Sequence, residues 1–459
     1  MSVDKRARSV FVCQQCGHHA PRWLGQCPGC EAWNTLVEEA VPDQRARNPR
    51  TASALTGGAP RPLRAVEGSA SLRRSTGLAE LDRVLGGGLV AGSLVLLGGD
   101  PGIGKSTLAL QACGALARQN LPVLYVAGEE SPEQVRLRAD RLGLGTSNVL
   151  VLAETSAEIV ADQIDAIKPC AVVIDSIQTL HTAALSSAPG SVGQVRDSAA
   201  LLAGRLKGLG VAAFLIGHVT KEGALAGPRV LEHMVDTVLY FEGDGAHALR
   251  VLRAVKNRFG STNEVGVFEM GEGGLAEVAN PSAAFLAERP VGAPGSVVLA
   301  TIEGSRPVLV EIQALVSRSG LAMPRRAAIG LDTGRVALLL AVLEKRLKMA
   351  LHDQDVFLNV AGGLRIDEPA ADLAVIAAVA SSIRGRPVAE DVVVWGEVGL
   401  TGEVRSVARA EARMREAVRQ GFHRCILPAG TMRGLPKDTG AQAHGVKGVE
   451  ELLDALGLE

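Results

Sequence analysis

Aromatic residues are scarce, at 3% of 459. Base stacking on aromatic platforms is therefore a poor candidate for the main grip on any nucleic acid, and contact through lysine, arginine and loop amides is favoured instead. Net charge is also lacking. The 48 basic residues against 49 acidic ones leave −1, so nucleic-acid binding has to come from local patches rather than from an overall field. No apolar run reaches the about 18 residues of a membrane span, and Met1-Ser2-Val3-Asp4-Lys5-Arg6 has no apolar signal core. No membrane partner and a cytoplasmic location are expected. Cysteine is thin outside one cluster, with Cys113, Cys170 and Cys425 scattered in apolar surroundings. What abounds is apolar: 47% of the residues are hydrophobic, enough for sizeable cores, and the length suggests about three domains.

The other four cysteines stand together as Cys13-x-x-Cys16 and Cys27-x-x-Cys30. In a reducing compartment two such pairs supply four thiolates to one tetrahedral Zn2+, a reading preferred to redox chemistry because two pairs in so short a segment need no further explanation. Gly17, Gly25 and Gly29 suit its tight turns, and Trp23 and Trp33 are expected to pack over a site too small for a core. His18 and His19 are substitute ligands that four cysteines make unnecessary. A zinc-binding domain over residues 1–40 is expected. A Pro-, Arg-, Ala-, Gly- and Ser-rich linker over 41–71 follows, whose arginines (Arg45, Arg47, Arg50, Arg61, Arg64) either touch nucleic acid or are simply solvated.

The chain is organised around Leu94-Val95-Leu96-Leu97-Gly98-Gly99-Asp100-Pro101-Gly102-Ile103-Gly104-Lys105-Ser106-Thr107. An apolar strand runs into a glycine-rich turn and then into helical spacing, which is the context that gives the G-x-x-x-x-G-K-[ST] pattern its meaning. Gly99, Gly102 and Gly104 let amides turn inward around an anion at the start of the helix; Asp100, Pro101 and Ile103 complete the loop. Lys105 is expected to reach the β- and γ-phosphates, Ser106 to ligate Mg2+, and Thr107 to cap the same turn. ATP is the expected substrate.

Further strands deliver polar residues to the same sheet edge. Val123–Gly128 ends at Glu129 and Glu130, where a carboxylate either orients water against the γ-phosphate or caps the helix that follows Ser131-Pro132. Ala171–Ile174 ends at Asp175, the Walker B position that holds Mg2+ through water. Val211–Gly217 ends at His218, a γ-phosphate sensor or a structural histidine. The stretches His181–Val195 and Lys221–Arg229 are glycine-bearing loops suited to gripping a polymer. These alternations give a doubly wound, largely parallel α/β sheet, an ATPase domain over 72–285. Lys256-Asn257-Arg258-Phe259-Gly260 follows a predicted strand and is expected on a turn at the edge of that domain.

The order of zinc knuckles, Gly99–Ser106 loop, Asp175 strand and Lys256–Gly260 motif closely resembles the bacterial RadA (Sms) family of DNA-repair proteins over essentially the whole chain, and the core resembles RecA and the DnaB-type hexameric helicases. The resemblance implies a RecA-like P-loop core in which Glu129 polarises water, His218 reads the γ-phosphate, and Lys256 and Arg258 reach into a neighbouring subunit's nucleotide. It also implies a homohexameric ring that moves along single-stranded DNA and processes branched recombination intermediates, with the recombinase RecA as a candidate partner.

Residues 286–459 read as a separate α+β domain, with strands over Ser296–Ile302, Val308–Ala314, Val356–Asn359 and Val392–Val398, and helices over Gly334–Met349 and Ala370–Ile383. It resembles the proteolytic domain of Lon, including Gly399-Leu400-Thr401-Gly402-Glu403-Val404. Active Lon domains use a Ser–Lys dyad. Here Ala370 follows Pro369 at the serine position and Glu411 falls at the lysine position, so no nucleophile is present; Ser381 and Ser382 have no evident base. Arg325, Arg326, Arg335, Lys345, Arg346 and Lys348 form either a DNA-facing basic patch or a solvated helix face. A DNA motor is the leading function, ahead of an ATP-dependent protease and a KaiC-like signalling ATPase.

Overall fold

The computed structural model describes residues 9–13, 18–40, 62, 73–217, 230–243, 248–321, 323–436 and 440–458. Cys16, His218, the loop 221–229 and nearly all of the linker 41–71 lie outside them. The chain divides into two compact units, Met1–Phe241 with Arg250–Glu277, and Glu242–Leu249 with Val278–Glu459.

At the start of the first unit Ser9–Cys13 pairs antiparallel with both His19–Ala20 and Leu36–Ala40. Its buried set is small: Cys13, Ala20, Cys27 and Leu36. Trp23 and Trp33 do not cover this set. They flank Gly25 and stand 54% and 69% exposed, because a segment this short has no interior wide enough to take an indole.

The rest of that unit is built on a nine-stranded sheet in the order Gly274–Glu277, Val265–Gly271, Leu249–Asn257, Thr237–Glu242, Leu94–Gly98, Ala212–Ile216, Ala171–Asp175, Val123–Ala127, Val149–Ala153. Pairing is parallel from Thr237–Glu242 through to Val149–Ala153. Successive side chains feed opposite faces: Val95, Leu97, Tyr125 and Val173 enter one core, Leu94, Leu96, Leu124 and Val172 the other. Helices cover both faces, and three of their starts are capped by local side chains. Ser131 and Gln134 close a capping box ahead of Pro132–Arg141, and Ser156 and Ser191 cap the two helices that follow. Because the central strands are parallel, Gly98, Ala127, Asp175 and Ile216 all end at one edge, where Gly128 N donates to Asp175 O and Gly217 N to Leu97 O.

The second unit is a seven-stranded mixed sheet in the order Arg326–Ile329, Gln354–Val360, Arg306–Arg318, Ser296–Glu303, Val392–Val394, Arg424–Pro428, Gln442–Val446. The expected strand Val392–Val398 is in fact two. The chain turns out of the sheet at Trp395 and Gly396, whose amides donate to Ile426 O and Ala370 O, and Glu397–Val398 pairs instead with Val404–Arg405. The helices run Thr333–Arg346 and Asp372–Arg384, the second entered through a short 3-10 turn at Pro369–Ala371. Among the described residues no helix is long and apolar enough to cross a membrane.

Candidate functional site

The loop between Gly98 and Lys105 is shaped by its glycines. Gly99, Gly102 and Gly104 have φ of 144°, 77° and 118°, backbone that L side chains rarely adopt. A Cβ on Gly104 would also stand 2.7 Å from Met270 Cε. The helix Lys105–Arg118 begins without any side-chain cap, so its first-turn amides are available to an anion. Lys105 is 5% exposed. Its ammonium donates to Gly99 O at 2.7 Å and Asp100 O at 2.8 Å. Burial holds its pKa below the usual 10.5, opposed by the charges of Asp175, Asp100 and Glu129. That field places all three carboxylates within electrostatic reach of the ammonium.

Beside the loop lies a cavity of ≈ 790 Å³. One wall is Gly102, Gly104, Lys105, Ser106 and Thr107; another is Arg138, Arg141 and Leu142; the third is the Met270–Gly274 hairpin. Gln111 ties that hairpin to the loop's helix through both polar atoms of Leu275. Asp100 and Pro101 are exposed on the loop, and Ile103 is buried beneath it.

At the neighbouring strand ends the five acidic and hydroxylic groups are already paired. Ser176 Oγ donates to Glu129, Tyr125 Oη donates to Asp175 Oδ2, and Arg138 Nη2 pairs with Glu130. Arg138 Nη1 is buried without a hydrogen-bond partner among the described residues, 3.9 Å from Asp175 Oδ2. A hydroxyl at Ser106 and a carboxylate at Asp175 are hard oxygen donors of the kind Mg2+ takes, and Ser106 lines the cavity.

The loop after His181 is pinned. The Gln194 side chain accepts from Thr182 N and donates to the carbonyls of Leu185 and Ser187. Lys256 is a correction: it lies within the strand Leu249–Asn257 rather than on a turn, and its ammonium donates to Glu232 O at 2.6 Å and Val235 O at 2.9 Å. Extending the ladder to Asn257 is favoured because Asn257 joins Thr237, Phe259 N and Val84 O. Arg258 follows and pairs with the buried Asp236 at 3.0 Å. Neither cation lines the cavity beside Lys105.

In the small N-terminal sheet the sulfurs of Cys13, Cys27 and Cys30 lie within 4.8 Å of one another. Four sulfurs about 2.3 Å from one zinc stand about 3.8 Å apart, and those of Cys13 and Cys30 are 3.7 Å apart. Gly29 N donates to Cys27 Sγ at 3.3 Å, the amide contact that steadies a thiolate ligand. His18 is exposed and contributes its carbonyl to Cys13 N. The three thiols therefore fit a metal, with Cys16 outside the described residues.

Three families match along the chain: a rubredoxin metal binding domain over residues 11–38, an AAA domain over 59–224, and the Lon protease (S16) C-terminal proteolytic domain over 340–455. The DNA repair protein RadA of Bacillus subtilis is 53% identical over 451 residues, 98% of each chain. That of Pseudomonas aeruginosa is 54% identical over 453 residues, 98% of this chain and 99% of its own. The chain belongs to the RadA family. Among solved structures, a KaiC-like protein of Pyrococcus horikoshii matches 45% of this chain and 98% of its own at 22% identity, with a TM-score of 0.38.

In this RadA-family chain the Lon-like unit has its own cavity of ≈ 300 Å³, with apolar Leu331, Ile366 and Val375 beside Arg335, Asp372 and Glu397. Arg335 is spent on the buried Asp372. Ala370 is 0% exposed, and Glu411 pairs along its own helix with Arg415. Ser381 donates to Arg386 O and accepts from Gly295 N, while Ser382 accepts from Val316 N; both are structural. Of the expected basic patch, Arg325 and Arg335 are committed to buried aspartates.

Sequence reading missed Tyr125 and Arg138. A phenol in an otherwise aliphatic strand, and an arginine two turns into the helix after Glu130, are their only traces in the sequence.

Proposed function

We propose that the protein is an ATPase of DNA repair that assembles as a homohexameric ring in the cytoplasm, moves along single-stranded DNA and processes branched recombination intermediates, with the recombinase RecA as a partner. The observation that carries the ATPase reading is the cavity lined by an uncapped helix start, the buried Lys105 and Arg138. The DNA, the ring and its partners rest on family membership. Bound phosphates take over the donors that Lys105 now gives to Gly99 and Asp100 carbonyls, and first-turn amides hold the rest of the anion. Ser106 and Asp175 hold Mg2+, which when bound neutralises charge on the β- and γ-phosphates. Glu129, which accepts from the neutral Ser176 hydroxyl, is the residue that orients water, whereas Glu130 is held by the Arg138 charge. His218 reads the γ-phosphate. Lys256 and Arg258 serve a neighbouring subunit's nucleotide, in keeping with their standing away from the cavity of their own chain. Cys13, Cys16, Cys27 and Cys30 hold one Zn2+, and the second unit is a scaffold without peptidase chemistry. The test is ATP turnover with single-stranded DNA, with casein, and with neither. Stimulation by DNA alone is expected; turnover indifferent to DNA contradicts the reading.

A further inference from the structure

We propose that Tyr125 is a positioning residue for Asp175: its hydroxyl pins one carboxylate oxygen so that the other stays turned toward the divalent cation that accompanies the nucleotide. The inference rests on the reading of Asp175 as a magnesium residue. The strand Val123–Ala127 lies parallel to Ala171–Asp175 with Tyr125 opposite Val173 and Ala127 opposite Asp175. The tyrosine ring is 0% exposed in an apolar core with Val173 and Phe214. A phenylalanine fills that space equally well, so the hydroxyl is an addition that needs a partner. Its partner is Asp175 Oδ2.

The bond matters because Asp175 has a competitor at hand. The torsion that rotates an aspartate carboxylate is soft, and Arg138 Nη1, buried and without a hydrogen bond, stands 3.9 Å from the same Oδ2. A full arginine–aspartate bond would draw the carboxylate toward the helix Pro132–Arg141 and weaken its hold on a cation. The phenol occupies Oδ2 from the core side, and among the described residues nothing donates to Oδ1. The sheet thus fixes the orientation of the carboxylate before any ligand arrives, which is the usual task of a partner behind a metal ligand.

The experiment measures Mn2+ binding to the ADP complex by electron paramagnetic resonance, and ADP binding without divalent cation, for wild type, Tyr125→Phe, Asp175→Asn and the double variant. Tyr125→Phe is expected to weaken Mn2+ about three- to tenfold, the range of one orienting hydrogen bond, with metal-free ADP affinity unchanged. The Mg2+ needed for half-maximal ATP turnover should rise by the same factor, and excess Mg2+ should restore the rate, which it does not do for a packing defect. In the Asp175→Asn background Tyr125→Phe should add nothing. Wild-type Mn2+ affinity in Tyr125→Phe, or a parallel loss of metal-free ADP affinity, overturns the proposal. Wild-type Mn2+ affinity in Asp175→Asn removes the reading of Asp175 and the proposal with it. Should the phenylalanine variant not fold, the unaltered sequence still decides: the chain has 2 tyrosines, so 3-fluorotyrosine labelling gives two fluorine resonances, assigned with Tyr240→Phe. The Tyr125 resonance should move when Mg2+ joins the ADP complex, and a resonance that stays in place contradicts the proposal.

Discussion

The cavity beside Lys105 and the cavity near Ala370 differ in what their charged groups face. In the first, the ammonium of Lys105 rests on loop carbonyls, so incoming anionic oxygens meet that donor without displacing an ion pair, and Arg138, held by Glu130, keeps its Nη1 without a hydrogen bond among the described residues. In the second, Arg335 is locked to Asp372, Glu368 is locked to Arg413, and the residue at the nucleophile position is a buried methyl group. One cavity is held ready for a ligand charge, and the other has satisfied its charges internally. The second unit matches a domain that is proteolytic in Lon yet offers a methyl group where Lon has its nucleophile, so chemistry is read from the groups at a site rather than from the fold.

The largest break to that contrast is Lys105→Ala. Hydrolysis should be abolished, since no other cation is placed in the loop to offset the γ-phosphate charge, while the melting temperature stays near wild type because the ammonium contacts only loop carbonyls. Near-normal turnover removes the first cavity from the mechanism. The depressed ammonium pKa adds a sign: the proton is lost below the usual 10.5, and its loss removes positive charge, so nucleotide affinity should weaken as pH rises before ordinary lysines titrate.

Arg258→Ala comes next, since an arginine acting in trans is worth about 10³–10⁵ in rate where measured. Mixing Lys105→Ala with Arg258→Ala subunits should recover part of the hydrolysis at interfaces that carry both wild-type residues. Mixtures that co-assemble and stay inactive argue for a cis role, in line with the Arg258–Asp236 pair, or for a ring that needs every interface intact.

Cys27→Ser sharpens the comparison at the third site: elemental analysis should show the one zinc per chain gone or strongly depleted. Full retention means that other ligands hold it. The smallest expected effect is at the second cavity, where Ala370→Ser, alone or with Glu411→Lys, should yield no cleavage of casein, because position 370 has no access to substrate and Glu411 sits in a surface pair. Cleavage by either variant erases the difference between the two cavities.

How much of this was legible in the sequence depends on distance along the chain. The phosphate loop, the cysteine pairs and the strand-end carboxylates are local patterns, and strand, turn and helix fall where the residues Leu94–Arg118 predict them. Tyr125 was invisible because its partner is 50 residues away on a strand whose neighbour only the sheet order reveals. Arg138 needed the docking of a helix. The break in Val392–Val398 follows from backbone bonds to Ala370 and Ile426, and the commitment of Arg325 and Arg335 from aspartates placed by tertiary packing.

The most direct test follows phosphate release and fluorescent-casein cleavage together, in one reaction of the full chain with ATP and Mg2+, before and after single-stranded DNA is added. Phosphate release that rises with DNA, beside casein that stays intact throughout, is the predicted result; ATP-dependent casein cleavage, or phosphate release indifferent to DNA, contradicts it.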